Sequence, residues 1–201
     1  MNSAPFLELL DWRRHVAELF AELRSRTPDA QTLAWFRAEK DTLFRTHPQS
    51  PIPASERATF QGLRYWPYDP AMRVTAQFTA RERKLAGQAE DFSFSRIGDL
   101  QFSLQDQRYS LPAFWMDGYA GGLFVPFRDS TSGNETYGAG RYLIDSNKSA
   151  DLGSDLAYGT VILDFNYAYH PSCVYDPRWV CPLAPPDSRL TIPIRVGERL
   201  S

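Results

Sequence analysis

The sequence predicts an α+β protein in which N-terminal helices precede an antiparallel β barrel or sandwich of seven to eight strands. Apolar residues first recur every three or four positions, the period of one helix face. After Tyr65 the period changes to two, and short strand patterns follow one another without helical patterns between them. Because successive strands pair antiparallel, we expect a helical segment, residues 1–64, packed on one compact β domain, residues 65–201.

Two helices account for the N-terminal segment. The first presents an apolar face over residues 6–23, and Ser3 is its expected cap. The second is expected to begin at Thr27, with Pro28 at the first helical position, where a missing N–H costs nothing. It should end before Pro48, because proline cannot continue a helix.

The β domain is predicted from alternation of apolar and polar residues. The expected strands are Val74 to Phe78, Phe92 to Arg96, Leu100 to Leu104, Tyr109 to Trp115, Leu123 to Asp129, Gly140 to Asp145, Thr160 to Tyr169 and Leu190 to Val196. In the strand from Thr160, parity places Asp164 and Asn166 opposite the core face. Solvent is the commoner surrounding for such a face, and the lining of a cavity is the alternative.

Composition and charge exclude several classes of partner. The apolar fraction of 43% and charged fraction of 23% are typical of a soluble globular protein. A net charge of -2 offers no electrostatic attraction for nucleic acid or an anionic membrane. The N-terminus lacks the basic and apolar regions of a signal peptide, and no segment is apolar enough to span a bilayer. We therefore expect a cytoplasmic protein with neither partner.

The two cysteines are expected to be reduced and free of metal. Cys173 and Cys181 follow His170 at H-x2-C-x7-C spacing, which is wider than the paired cysteines of zinc sites, and no second cluster completes the ligand set. A cytosolic location keeps thiols reduced. The sequence therefore predicts no metal and no cofactor.

Two segments carry unusual residues. The segment "FRDSTSGNETYGAGRYL", residues 127–143, is a glycine-containing turn with several charged side chains, and it matches neither a Walker loop nor a dinucleotide fingerprint. Such a turn either binds a ligand or only joins two strands. The segment that follows residue 170 is rich in proline and apolar residues, so it is neither a central strand nor a solvated linker. We expect residues 171–186 to pack beside the 129–140 turn, at one end of the β domain.

These segments carry a family resemblance. Together with "DFNYAYHPSCVYDPRWVCPLAPPDSRLTIPIRVGE", and with "KDTLF", "SPIP" and "FQGLRYWPYD" upstream, the turn resembles the family named domain of unknown function 1684, over Lys40 to Glu198. The resemblance implies no activity. The residues that it places on the family pattern are Asp129, Ser132, Gly133, Thr136, Tyr137, Gly140, Arg141, Asp164, Asn166, Tyr169, Cys173, Cys181, Pro182 and Glu198. His170 stands where the resemblance implies asparagine.

The leading hypothesis from the sequence is a pocket for a small polar or anionic ligand, with Arg141 and Asp164 at its centre. The candidate ligand-binding residues are Arg141, Asp164, Asn166, Asp129, Glu135, Tyr137, Tyr169, Cys173, Cys181 and Glu198. One alternative is a hydrolase in which Asp164 or Glu135 is the general base and Arg141 stabilises negative charge. The others are a structural network around a buried arginine, and an oligomerising module; a homo-oligomer is compatible with the aromatic fraction of 14%.

Overall fold

The computed structural model describes residues 4–88 and 93–200. Within these ranges, two α-helices precede a seven-stranded antiparallel sheet. The helices are α1, Ala4–Ser25, and α2, Ala30–Thr46. The strands β1 to β7 are Arg73–Gln88, Ser93–Leu104, Gln107–Met116, Gly122–Phe127, Arg141–Asp145, Ser154–Asp155 and Thr160–Asp164. Neither helix in the described ranges has the length and apolar character that a membrane span needs.

The second helix begins later than the sequence predicted. Asp29 is its N-cap and accepts a hydrogen bond from the backbone N of Thr32 at 2.7 Å, so Thr27 and Pro28 lie before the helix. The carboxylate of Asp29 accepts a hydrogen bond from one of the backbone N–H groups that are unpaired at a helix N-terminus, and a proline side chain cannot do this. The helix therefore begins after Asp29. The helix ends before Pro48, as predicted. The predicted cap of the first helix, Ser3, lies outside the described residues.

The sheet has the strand order β5-β4-β3-β2-β1-β7-β6, with antiparallel neighbours throughout. Two predicted strands are parts of β2, which continues through an irregularity between Arg96 and Gly98; the predicted start at Phe92 lies outside the described residues. The α+β class is confirmed, but the sheet is not closed into a barrel. After Asp164 the chain turns into a short 3-10 helix, and in the described ranges one bridge, Tyr142 to Tyr169, links it to the β5 edge.

The predicted strand from Leu190 to Val196 is wrong, because this segment is irregular. Pro193 has no backbone N–H to donate to a ladder. The carbonyl oxygens of Ile194 and Val196 accept hydrogen bonds from the side chain of Arg141 instead of from a strand. The backbone N of Ile194 donates to the Asp129 carboxylate, and Leu190 and Ile192 hydrogen-bond to the backbone of Arg128 and Ser130, so side chains and single backbone contacts hold this segment in place of a strand ladder.

Two apolar clusters position the helices on the sheet. One cluster includes Leu100, Leu111 and Leu163 of the sheet, all with no exposed surface. The other joins Phe20 of α1 to Phe36 of α2 and includes Tyr167, whose ring meets that of Phe36 edge to face at 5.1 Å. The helices thus pack against the segment that follows β7, where the buried polar residues also lie.

Candidate functional site

Arg141 is a structural clamp on the C-terminal segment. Its side chain is 1% exposed. Nη1 donates to the carbonyl oxygens of Val196 at 2.6 Å and Glu198 at 3.1 Å, and Nη2 donates to that of Ile194 at 2.7 Å. Nη2 also contacts the Asp129 carboxylate at 3.4 Å. Arg141 is therefore paired with an acidic residue of its own turn, as the alternative of a structural network around a buried arginine requires.

The carboxylate of Asp129 is fully hydrogen-bonded as well. Besides Arg141 it accepts from the backbone N of Ile194 at 2.6 Å, the hydroxyl of Thr131 at 2.7 Å and that of Ser132 at 3.2 Å. Burial lowers the pKa of Arg141 to about 10, although Asp129 and Glu198 oppose the shift. The guanidinium is therefore still charged at neutral pH, and the turn carries a satisfied buried ion pair.

Asp164 belongs to a different network from Arg141. Its carboxylate accepts from Arg73 Nη1 at 3.0 Å, and from the backbone N and side-chain amide of Asn166 at 3.0 and 2.8 Å. The Asn166 amide also joins both backbone groups of Asp69, each at 2.8 Å. Burial raises the pKa of Asp164, against the hydrogen bonds from Asn166 and Arg73. The preference for solvent around Asp164 and Asn166 was wrong, since both are buried.

Glu198 is a second buried charge, and its carboxylate accepts four hydrogen bonds. Oε1 accepts from Lys40 Nζ at 2.6 Å and from the Tyr65 hydroxyl at 3.0 Å. Oε2 accepts from the backbone N of His170 at 2.7 Å and from the Tyr175 hydroxyl at 3.0 Å. Burial disfavours the carboxylate, but Lys40, His170 and these hydrogen bonds outweigh it and lower the pKa of Glu198. Glu198 is therefore an anion at neutral pH.

The imidazole of His170 is held neutral beside Glu198. Burial lowers the pKa of His170 to about 4, although the Glu198 carboxylate opposes the shift. The backbone N of Tyr137 donates to Nε2 at 3.3 Å, which places the imidazole proton on Nδ1, 3.8 Å from Glu198 Oε2. This contact links the 127–143 turn to the segment after β7.

A cavity of about 220 Å³ lies against Glu198. Its apolar walls are Phe60, Leu63, Val174 and Leu200. Glu198, His170 and Tyr175 form its polar side, and Arg64 and Arg199 also line it. The backbone N of Arg199 donates to the carbonyl of Arg64 at 2.9 Å, so the two arginines lie on neighbouring backbone segments.

The cavity borders the loop that the sequence placed at one end of the β domain. The loop packs beside the turn, where the backbone N of Ala184 donates to the carbonyl of Ala139 at 3.3 Å. It also contacts the helical segment, because the rings of Tyr175 and Phe44 meet edge to face at 5.8 Å. The loop residues that line the cavity are Val174 and Tyr175. It therefore walls a cavity beside Glu198 instead of one beside Arg141 and Asp164.

The remaining candidates surround this region without forming one site. Cys173 and Cys181 are free thiols, and Cys173 Sγ lies 4.0 Å from the Tyr137 hydroxyl. The ring of Tyr169 lies 4.7 Å from Lys40 Nζ. Glu135 is exposed and pairs with Arg195. The part of these residues in ligand binding stays a prediction.

One group of side chains in the described ranges has metal-ligand chemistry. Potential ligand atoms of Asp11, His15 and His47 lie within 4.8 Å of one another. However, Nδ1 of His47 accepts from the backbone N of Gln49 at 3.0 Å, so its proton is on Nε2, 3.3 Å from Asp11 Oδ2. A metal at Nε2 requires a proton on Nδ1, where Gln49 already donates. The geometry therefore favours a hydrogen-bonded link between α1 and the end of α2.

Reasoning from the sequence missed most of the residues around Glu198. Lys40 and Tyr65 lie far from it in the chain and read as ordinary residues of a helix and of a connector. Arg64 and Arg199 flank the antiparallel bridge between Tyr65 and Glu198. A signal was present in the quoted stretches, because "KDTLF" contains Lys40 and "FQGLRYWPYD" contains Arg64 and Tyr65.

The comparisons with known proteins agree with the fold. The family described as "Protein of unknown function (DUF1684)" matches residues 58–199. The solution NMR structure of the uncharacterized protein from gene locus rrnAC0354 of Haloarcula marismortui is similar, with a TM-score of 0.61 and 37% sequence identity. The alignment covers 85% of this chain and 93% of that one. No curated protein matches the sequence.

Proposed function

The chain belongs to the DUF1684 family of proteins of unknown function, and from this premise we propose that it binds a small ligand with an apolar body and an anionic group in the Glu198 cavity. One observation carries the proposal. Arg64 and Arg199 line the cavity, and neither guanidinium has an ion-pair partner in the part of the chain that the structure describes.

The size and walls of the cavity support a small, largely apolar ligand. Ligand sites commonly enclose about 300 to 1,000 Å³, so a cavity of about 220 Å³ suits a compact molecule. Phe60, Leu63, Val174 and Leu200 supply apolar contact area. Burial of apolar surface contributes about 25 cal/mol per Å² and is the main attraction for such a ligand.

The charges around the cavity favour an anionic group. Glu198 already accepts four hydrogen bonds, one of them from Lys40, so its charge is compensated and offers little attraction to a ligand cation. Arg64 and Arg199 are exposed and line the cavity, and a guanidinium group matches the geometry of a carboxylate or phosphate. The ligand's anionic group is therefore expected at the arginines and its apolar part against Leu63 and Val174.

The hydrolase alternative is not favoured by the geometry. Arg141 uses its Nη1 and Nη2 groups on backbone carbonyls and Asp129, with 1% of its surface exposed. A general base needs a raised pKa and access to substrate. The hydrogen bonds from Arg195 lower the pKa of Glu135, one of the two candidate bases. Asp164, the other, has a raised pKa but is buried under Arg73 and Asn166.

The proposal is tested with a pair of probes that differ in charge. Benzoate and benzamide are titrated into labelled protein, and backbone amide shifts are followed by NMR. We expect saturable shifts around Val174 and Leu200, with benzoate binding at least 5-fold more tightly than benzamide. The double variant Arg64→Gln, Arg199→Gln should lose this preference, whereas Arg195→Gln, which alters an exposed arginine paired with Glu135, should keep it.

A second variant tests the position of the ligand. Val174→Phe places a larger side chain at the cavity wall and should weaken both probes. Equal affinity for benzoate and benzamide would contradict the anionic preference. Saturable shifts that leave the lining residues unchanged, or that persist in Val174→Phe, would move the ligand away from this cavity.

A further inference from the structure

A second recess shares no lining residue with the Glu198 cavity. It has a volume of about 20 Å³, which is room for about one water-sized atom. The charged and polar residues that line it are Arg24, Arg26, Arg73 and Tyr167, and its apolar lining includes Leu23 and Leu152. Three arginines from α1, the connection after it and β1 therefore meet at one small opening; we name it the Arg24 recess.

Each arginine of the recess has one carboxylate partner and further unused donors. Arg24 Nη1 contacts Asp151, and Arg73 Nη1 contacts Asp164. Arg26 uses Nε and Nη2 on Glu22 and stacks on Trp35 at 3.8 Å. The unused groups are Nε and Nη2 of Arg24, Nε and Nη2 of Arg73 and Nη1 of Arg26, which donate to no protein acceptor within residues 4–88 and 93–200.

Tyr167 supplies an independent observation at the same place. Its side chain is 4% exposed, and its hydroxyl is buried without a hydrogen-bond partner in the described ranges. A buried hydroxyl without a partner is costly, and such groups in native proteins are usually completed by water or a ligand. The free groups around the recess are thus arginine N–H donors and a hydroxyl, so the complementary ligand is an acceptor.

We propose that the Arg24 recess binds a tetrahedral oxyanion of the phosphate class, with one oxygen in the recess and the others among the arginines at its mouth. Guanidinium groups match the geometry of phosphate oxygens and pair with them in forked hydrogen bonds. The neighbouring carboxylates of Asp151, Glu22 and Asp164 neutralise part of the positive charge, so we expect millimolar affinity. The recess is separate from the Glu198 cavity, and this site does not depend on the function proposed for that cavity.

The test is an NMR titration of the full chain with sodium phosphate, compared with sodium chloride at equal ionic strength. Saturable amide shifts near Arg73 and Tyr167 with phosphate, and not with chloride, are expected. A parallel titration with glycerol phosphate distinguishes a phosphomonoester ligand from free inorganic phosphate. Tighter binding of glycerol phosphate than of phosphate indicates a phosphomonoester, and weaker binding indicates the free ion. Both results support a phosphate-class site.

Two variants and a control locate the anion. Arg24→Gln should weaken phosphate binding at least 10-fold. Tyr167→Phe should weaken it at least 3-fold without lowering the thermal midpoint in phosphate-free buffer, because it removes a hydroxyl that has no protein partner. Arg108→Gln, an exposed arginine on β3, should change neither.

Three results would overturn the proposal. Equal shifts with phosphate and chloride, or shifts that do not saturate, would show that the recess binds no phosphate and holds only water. Unchanged affinity in Arg24→Gln would place the anion elsewhere. Unchanged affinity in Tyr167→Phe would place it on the surface, outside the recess.

Discussion

Arg141 and Glu198 are two buried charges, each about 1% exposed, that meet where Arg141 Nη1 donates to the Glu198 carbonyl. Arg141 donates hydrogen bonds to three backbone carbonyls and to Asp129, and it holds residues 194–198 in place. The carboxylate of Glu198 binds side chains from α2, the connector after it and the 171–186 loop, and it borders a cavity. The first region is sealed, whereas the second borders a cavity.

This difference shows why burial of a charge does not by itself indicate a site. A buried charge must be paired and hydrogen-bonded in either case. At Arg141 the partners of Nη1 and Nη2 are backbone carbonyls and Asp129, and 1% of the residue is exposed. At Glu198 they come from separate segments that leave space between them, and two arginines line that space without ion-pair partners among the described residues.

The largest expected loss of stability comes from removing the side chain of Arg141. Arg141→Ala leaves Asp129 buried and removes the three hydrogen bonds that hold residues 194–198. Loss of one partner of a buried ion pair costs about 3 to 5 kcal/mol, so the free energy of unfolding should fall by that amount. Urea denaturation followed by circular dichroism measures it.

The matched control is Arg195→Ala, which breaks the exposed pair with Glu135 and should leave the urea midpoint nearly unchanged. A loss below about 0.5 kcal/mol for Arg141→Ala would mean that Arg141 is solvated, which contradicts its role as a clamp.

A smaller effect is expected from the Glu198 pair. Glu198→Gln leaves Lys40 without its counter-charge, and we expect a loss of about 3 kcal/mol at pH 7. The pKa of Glu198 is lowered on folding, so its stabilisation is present above the ordinary value of 4.5 and is lost as the pH falls through the folded value. The difference between wild type and variant should therefore narrow below pH 4.5.

A double-mutant cycle with Lys40→Gln isolates the pair. We expect a coupling energy of at least about 1 kcal/mol, because the two groups are in contact at 2.6 Å. Additive losses in the cycle would show that Lys40 and Glu198 act independently.

Stability is also expected to depend on pH through His170. The pKa of His170 falls from 6.5 to about 4 on folding, because burial disfavours the imidazolium. The unfolded chain then binds more protons between these values, so stability should fall by about 2 to 3 kcal/mol as the pH drops from 6.5 to 4. His170→Gln, whose side-chain oxygen replaces the Nε2 acceptor, should flatten this part of the urea-midpoint profile. An unchanged slope in the variant would assign the proton uptake to another group.

The smallest effect concerns the two thiols of the 171–186 loop, Cys173 and Cys181. Burial and the neighbouring Cys181 raise the pKa of Cys173 to about 11, so little thiolate exists at pH 8. Alkylation of native Cys173 by iodoacetamide, followed by peptide mass spectrometry, should be at least about 10-fold slower than after denaturation in urea. A disulfide in protein prepared under reducing conditions, or stoichiometric zinc, would contradict the expected pair of free thiols.

Local patterns in the sequence predicted the elements whose stability is local. The helical period of residues 6–23 and the alternation around Leu111 each depend on neighbouring residues, and the structure has a helix and a strand there. Alternation failed for residues 190–196, because the side chains of Arg141 and Asp129 supply hydrogen bonds that a neighbouring strand would otherwise supply. It also failed to predict the burial of Asp164, since Arg73 and Asn166 compensate its charge.

By itself the sequence determined the α+β class, the two helices that precede a series of antiparallel strands, and the family. The tertiary structure decided which charges meet. In the folded chain Arg141 pairs with Asp129, and Asp164 pairs with Arg73. Lys40 pairs with Glu198, although most of the chain separates them in sequence. The physical reason is the separation in sequence between interacting residues. Periodicity depends on contacts within one element, whereas the partner of a buried charge is the group that the folded chain brings within hydrogen-bonding distance.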